Sequence, residues 1–410
     1  GMAAAVAARG GAVGVRRRAA RAAAPGAARA PRARAAPRSV GAVSVWAVAR
    51  PQGARGEPRP ARLAIRTAAA AELSVPEPMD GGFASRVDWQ KVRVGVSLAG
   101  WFFLNAVFAI YNKKTLNCFP YPWLLSWIQI AFGAAMMVVA WGVKALPAPK
   151  IDMKGYLSLV PTATLHLIAH VSACACYNFS NVSFMQMVKA AEPACSVVCL
   201  ALFFRTRYSF KTWLTLVPII AGVALGSAKE INFSMIAFVM AMMSNVACAF
   251  RGVTSKQAQA DLGIRGINLY AAIAIVSSVL LLPFALLVEG PHLAHAFADA
   301  GNAMVELGYG ATASAFLPFL LTGSAFYHLY NQTAYQALAE MTPLTHSIAN
   351  TVKRVIIICA SLVIFRNPIT PLGACSAAVA IGGTFLYSLA RQAEEREKKL
   401  AAAKAAPPSA

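Results

Sequence analysis

Val182-Ser183-Phe184-Met185-Gln186-Met187-Val188-Lys189 and His346-Ser347-Ile348-Ala349-Asn350-Thr351-Val352-Lys353 are the two stretches on which the fold turns. Each ends on a lysine about one third of the way along an apolar run that could cross a membrane, the fourth and the ninth of ten such runs. The same lysine at the corresponding place in two sets of five runs indicates an internal duplication. With an odd number of crossings per set, a faithful second copy enters the membrane the other way up. The expected fold class is therefore all-α integral membrane, ten transmembrane helices as two inverted five-helix repeats. Secondary transporters share that architecture and bind substrate near the midplane between repeats.

Outward from those two stretches, the whole chain has the composition of a polytopic membrane protein. Its 410 residues are 58% hydrophobic and only 13% charged, with a mean hydropathy of +0.55. A soluble enzyme does not have this composition. A spanning helix needs about 20 mostly apolar residues, and the runs that satisfy this are Val94–Tyr111, Tyr121–Val143, Tyr156–Tyr177, Val182–Phe204 and Trp213–Ser227, then Phe233–Phe250, Leu269–Val288, Ala311–Ala337, Leu344–Ile364 and Pro371–Leu389. The expected organisation is a first repeat over 92–228, a second over 232–391 and a polar C-terminal tail over 392–410. Lys144, Lys150, Lys154, Arg205, Arg207, Lys211, Lys256 and Arg265 gather in the even-numbered connections, against mainly Lys113, Lys114, Lys229 and Arg366 in the odd ones. That bias places both termini in the compartment of insertion.

The net charge of +22 would suggest nucleic acid if it were spread over the chain, but residues 1 to 70 hold fourteen Arg, no Lys and one acid, Glu57, and so carry +13 of it. Ala, Arg, Gly and Pro dominate there, which cannot bury a core. Residues 1–85 read as a cleavable organelle transit peptide and linker, with no apolar h-region for secretion. Arg enrichment leaves plastid and mitochondrial import both open, and a basic tail binding nucleic acid or anionic lipid is the plainer alternative. Seven of the eight cysteines lie within apolar runs, and Cys174-Ala175-Cys176 has no His or carboxylate at zinc-ligand spacing. Neither a disulfide framework nor a metal site is expected.

Charges inside the runs carry the functional signal, because an ionised side chain in a span costs a few kcal/mol. Lys189 is seven residues into its run, about 10 Å of rise, a long reach for a lysine that merely snorkels to the interface. The adjacent Lys353 and Arg354 are as awkward against lipid. Together they would form an anion site, two ammonium groups and a forked guanidinium suited to a phosphate dianion. Moving about three positive charges through the barrier empty is costly, and phosphate neutralises most of them, so the expected mechanism is obligatory one-for-one exchange. Sodium and ATP are not expected to drive it, and no Walker motif is present. His170 and Tyr330 could donate hydrogen bonds to substrate oxygens or be a satisfied interhelical histidine and a packing tyrosine. Arg251 reads equally as a ligand for carboxylate or hydroxyls and as an interfacial anchor. Glu192-Pro193 reads as compensation of the lysine charge or a kink rather than a direct anion ligand, and Asn331 and Glu340 complete the intramembrane polar set.

The chain from Trp101 to Leu389 resembles the plastid phosphate translocators of the drug/metabolite transporter superfamily. Matching segments are Asn112-Lys113-Lys114 with Phe119-Pro120-Tyr121-Pro122, Val182-Ser183-Phe184 through Lys189-Ala190-Ala191-Glu192-Pro193, and Tyr327-His328-Leu329-Tyr330-Asn331-Gln332 through Pro343-Leu344-Thr345-His346 to Lys353-Arg354. The resemblance implies ten helices in inverted repeats in the plastid inner envelope, exchanging inorganic phosphate for phosphorylated C6 or C3 metabolites without a cofactor. It implies phosphate ligands at Lys189, Lys353, Arg354 and Tyr330, and contacts to the sugar or carboxylate end at His170, Arg251 and Ala173. Ala173 stands where the triose-phosphate branch has Thr or Ser, and this small apolar residue resembles the glucose-6-phosphate branch, as do Leu282-Pro283-Phe284-Ala285 and Ile364-Phe365-Arg366. Cys174-Ala175-Cys176-Tyr177-Asn178-Phe179 and Gln186 match no branch well.

Glucose-6-phosphate/phosphate exchange is thus the first expectation and triose-phosphate/3-phosphoglycerate exchange the rival. A nucleotide-sugar carrier of the secretory pathway fits the Arg-rich leader and the Lys-Arg pair less well. An intramembrane enzyme would need paired intramembrane aspartates or a Ser/His set, and no such aspartates are present. The expected partners are phosphate, the phosphorylated metabolite and the bilayer, not nucleic acid, with room left for a homodimer.

Overall fold

The computed structural model describes residues 89–230, 233–340, 343–366 and 370–405. The expected transit peptide and linker lie outside them, as do the side chain of Glu340 and the end of the polar tail. Every regular element among the described residues is helical. The longer helices are α1 (Trp89–Cys118), α2 (Pro122–Gly142), α3 (Val160–Phe179), α4 (Val182–Lys189), α5 (Glu192–Phe204), α6 (Leu216–Ala228), α7 (Met235–Leu262), α8 (Gly266–Glu289), α9 (Leu293–Glu306), α10 (Phe316–Glu340), α11 (Pro343–Phe365) and α12 (Pro371–Ala405). Short turns at Met153–Ser158 and Phe210–Leu214 lead into α3 and α6, N-capped by Asp152 and Ser209.

Each of the ten expected runs falls on helix, and eight helical stretches are long and apolar enough to cross a membrane. The two long helices outside that set are α3 and α10. They have the length, but α3 is interrupted by His166 and His170, and α10 by Tyr327, His328, Tyr330, Asn331 and Gln332. These residues face protein and cavity, so the helices that look least like spans are those that carry polar groups inward.

The helix pairing has a regular form. The face of α3 lies on α7 and that of α1 on α10, while α7 also packs on α5, and α1 on α11. Across the middle α2 crosses α8 and α6 crosses α12, with α2 also on α10 and α3 on α8. Two groups result, α3 with α4, α5 and α7, and α1 with α10 and α11, braced by the remaining helices. One pair breaks the regularity: α1 packs on α3, whereas α7 and α10 meet at most marginally among the described residues.

Small residues set the α6–α12 brace. A Cβ on Gly222 would lie 2.6 Å from the backbone N of Ala380, and one on Gly383 would lie 2.9 Å from that of Ile219. Only glycine allows backbones this close. Outward faces carry apolar side chains such as Leu202, Phe203, Leu287 and Val363, all strongly exposed, as expected where the solvent is lipid.

The fourth run is broken where the sequence suggested a kink. The first half, α4, ends at Lys189, Ala190 and Ala191 form a tight turn through bonds to Met187 O and Val188 O at 3.0 Å, and α5 starts at Glu192. The cause is local: Pro193 has no N–H to give to the Lys189 carbonyl one turn back. Asn245 of α7 donates to Val188 O at 2.9 Å and satisfies one carbonyl at the broken end. The break leaves Lys189 at a helix end in the interior of the bundle.

Candidate functional site

A cavity of about 690 Å³ lies between the two helix groups, and Lys189, Lys353 and Arg354 all line it. Lys189 comes from the end of α4 and the other two from the middle of α11. None of the three snorkels to an interface. Lys189 Nζ sits 3.5 Å from Cys248 Sγ of α7, and Lys353 Nζ sits 4.9 Å from the centre of the Trp101 ring. Arg354 is buried, with Nη2 donating to Glu192 Oε2 at 2.9 Å and Nη1 enclosed without a partner. Glu192, the first residue of α5, therefore pairs with the arginine, where Glu192-Pro193 suggested compensation of a lysine. With it the formal charge of the cluster is +2, two lysines and an arginine against one carboxylate, where the three cations alone gave about +3. A phosphate dianion brings that total to zero.

The other end of the cavity is built on α3, α7 and α10. Arg251 lies on α7 inside the cavity lining rather than at an interface, and its Nη1 is 2.9 Å from His166 Nδ1. The other nitrogen of that ring, Nε2, is 3.1 Å from the Tyr327 hydroxyl. His170, one turn after His166, bonds Gln129 Oε1 at 2.9 Å, and the Gln129 amide reaches Asn112 Oδ1 at 2.9 Å. The Tyr327 ring lies on His170 with centroids 4.1 Å apart, and Tyr330 packs on Phe108 at 5.0 Å. His170 and Tyr330 thus have the packing partners of the plain reading and line the cavity as well. Ala173 lines it one turn from His170, where a small side chain leaves space.

The cavity runs toward the end of α7 that carries Ser255, Lys256 and Gln259, beside Tyr335 of α10, and Lys256 is exposed there. The opposite end is closed. Lys113 Nζ of α1 donates to Tyr177 O of α3 at 2.7 Å, and the Glu289 carboxylate accepts from Leu124 N at 2.8 Å and Trp123 N at 3.2 Å. Phe119, Phe297 and Phe316 pack together beneath, and Lys114 lies 4.9 Å over the Tyr309 ring. Contact between α1 and α3, without its counterpart between α7 and α10, is the backbone side of the same asymmetry.

The Triose-phosphate Transporter family matches this chain over residues 92–388, which contain all of these groups. The chain belongs to that family. Glucose-6-phosphate/phosphate translocator 2, chloroplastic, of Arabidopsis thaliana is 43% identical over 74% of the chain and 76% of its own length. Xylulose 5-phosphate/phosphate translocator, chloroplastic, of the same plant is 38% identical over 88% and 85%. Triose phosphate/phosphate translocator, chloroplastic, of Solanum tuberosum is 34% identical over 84% and 82%. The protein is a transporter and not an enzyme.

In this transporter every residue expected at the site, Lys189, Lys353, Arg354, Tyr330, His170, Arg251 and Ala173, lines one cavity. Among the described residues no cluster of His, Cys, Asp and Glu could hold a metal. Sequence reading missed His166, Gln129 and Asn112, which bind the site's side chains to one another, and Trp101 and Cys248, which meet the two lysines. A signal for His166 was present: it stands four residues before His170, hence on the same helix face. For the others the partner is on a distant helix, and nothing local marks them.

Proposed function

We propose that the protein is an antiporter of the plastid inner envelope that exchanges inorganic phosphate for a phosphorylated sugar, glucose-6-phosphate first among them, by obligatory one-for-one exchange. The observation that carries this reading is the Lys189, Lys353 and Arg354 cluster with Glu192 at one end of a closed-bottomed cavity. Phosphate or a phosphate ester takes the two remaining charges of the cluster, and with Arg251 counted the cavity falls from +3 to +1, so the loaded carrier crosses the barrier far more readily than the empty one. Ala173 and the order of identity among the relatives, C6 above C5 above C3, support the hexose phosphate. The chloroplast relatives and the Arg-rich leader support the plastid location.

The reading includes ten spans in two inverted repeats over 92–228 and 232–391. Its support is the reciprocal pairing of helices, in which the larger contacts of first-half with second-half helices, α3 on α7, α5 on α7 and α3 on α8, recur with the halves exchanged as α10 on α1, α11 on α1 and α10 on α2. His166 and Tyr330 are as far apart in sequence as Lys189 and Lys353, and the contact of Arg251 with His166 recurs as that of Phe108 with Tyr330. Rocking the α3–α4–α5–α7 group against the α1–α10–α11 group about the braces then closes the Lys256 end and opens the Lys113 end. Such exchange of access by pseudo-symmetric halves is what inverted repeats provide.

A second reading is favoured by Arg251, whose guanidinium suits a carboxylate: exchange of triose phosphate and 3-phosphoglycerate for phosphate. The test is uptake of labelled phosphate into liposomes holding the purified protein, preloaded with buffer, phosphate, glucose-6-phosphate, dihydroxyacetone phosphate or 3-phosphoglycerate. Uptake driven by internal glucose-6-phosphate is expected. Fast uptake into buffer-filled vesicles would sink the exchange mechanism, and uptake driven only by the three-carbon compounds would move the assignment to the second reading.

A further inference from the structure

His166 is almost fully enclosed, 1% exposed, and stands between two side chains from different helices: Arg251 of α7 at Nδ1 and Tyr327 of α10 at Nε2. The direction of both bonds is fixed by donor inventory. A guanidinium has no acceptor, so Arg251 donates and Nδ1 must offer a lone pair. The neutral ring then carries its hydrogen on Nε2, which donates to the Tyr327 oxygen. The Tyr327 hydroxyl hydrogen is left for its buried neighbour Tyr270, while the remaining N–H groups of Arg251 stay available to the cavity that it lines. A single imidazole therefore ties Arg251 of α7 to Tyr327 of α10 and sets which way the guanidinium points.

We propose that His166 is a positioning residue that fixes Arg251 as a donor at the far end of the site, so that this end selects substrates presenting acceptor oxygens, carboxylate or hydroxyl, away from the phosphate. The proposal rests on the exchange reading above and deepens it. Arg251 otherwise has a long flexible stem, and an unheld guanidinium loses affinity through the entropy of ordering it at each binding event. Holding it on His166, on the helix that packs most closely against its own, removes that cost before substrate arrives. Phosphate is taken by the cation cluster, and the part of an organic substrate beyond its phosphate is what meets Arg251, so His166 should matter for the organic substrate much more than for phosphate.

The test is exchange kinetics in liposomes for His166→Phe and His166→Asn, alone and combined with Arg251→Ala, measured with phosphate, glucose-6-phosphate and 3-phosphoglycerate. His166→Phe removes both bonds and is expected to raise KM for the organic substrate about tenfold more than KM for phosphate, the scale of one lost charge-assisted hydrogen bond. His166→Asn keeps an acceptor close to the Nδ1 position, and is expected to recover most of that loss through Arg251. In the Arg251→Ala background His166→Phe is expected to add little, because the two residues act as one unit. Equal rises in KM for phosphate and organic substrate, or full additivity with Arg251→Ala, would overturn the proposal and leave His166 a packing residue. A wild-type protein that exchanges only three-carbon phosphates would overturn the hexose reading, and the same comparison with 3-phosphoglycerate would then decide the role of His166.

Discussion

Glu192→Gln isolates the charge balance on which one-for-one exchange depends. Arg354 Nη2 donates to Glu192 Oε2 at 2.9 Å, with the arginine side chain 7% and the glutamate side chain 34% exposed. Phosphate must share or displace that partner. A hydrogen bond to a charged acceptor contributes about 1.5–3 kcal/mol and a neutral one about 0.5–1.5 kcal/mol, and the partial exposure of Glu192 favours the low end of the difference, about 1 kcal/mol. Glutamine keeps an acceptor for Arg354 but competes with phosphate less strongly. KM for phosphate should fall about fivefold. The loaded cation cluster then carries one positive charge instead of none, and each added charge at mid-membrane costs a few kcal/mol, so maximal exchange should fall by at least about tenfold. Phosphate self-exchange in liposomes measures both quantities at once. A rise in KM, or an unchanged maximal rate, would refute the reasoning that Glu192 completes the charge balance of the loaded cation cluster.

Lys113→Met removes the bond to Tyr177 O that ties α1 to α3 at the closed end. Losing a charge-assisted bond of about 1.5 kcal/mol should shift the access equilibrium about tenfold toward opening there, read as slower labelling of Cys248 by a membrane-impermeant thiol reagent from the Lys256 side; unchanged labelling would mean that this bond does not hold the state. Trp101→Ala takes away the ring under Lys353 and should raise KM for phosphate about two- to fivefold, from a cation–π contribution of about 0.5–1 kcal/mol, with no effect expected on maximal exchange. Gly222→Val places a side chain against Ala380 backbone, where a Cβ alone would be at 2.6 Å from nitrogen; overpacking of about 1–3 kcal/mol should lower the melting temperature in detergent by several degrees. A melting temperature equal to wild type would show that the α6–α12 crossing yields easily.

The cations of the site were legible because intramembrane charge is costly whatever surrounds it. Lys189, Lys353 and Arg354 stand out in apolar runs for that reason alone. The motif carrying Tyr327 and Tyr330 and the small residue Ala173 were legible by resemblance. Pro193 announced a disturbance in the fourth run, since a residue without an N–H interrupts a helix wherever it falls inside one. Hydropathy also separated the runs, including α3 and α10, whose inward polar groups weaken the signal because they face protein rather than lipid.

Pair partners were beyond the reach of the sequence. That Arg251 belongs to the cavity and not to an interface follows from the face that α7 turns to α3, which brings His166 within 2.9 Å of it. That Glu192 takes Arg354 rather than a lysine depends on the break after Lys189 and on how α5 meets α11. The sequence by itself determined which side chains the membrane could not tolerate unpaired, because that cost depends on the residue and its depth. Tertiary structure decided which of them face one another, because a hydrogen bond or ion pair forms only within about 3–4 Å and such distances, as between Glu192 and Arg354, 162 residues apart in the chain, are set by helix packing.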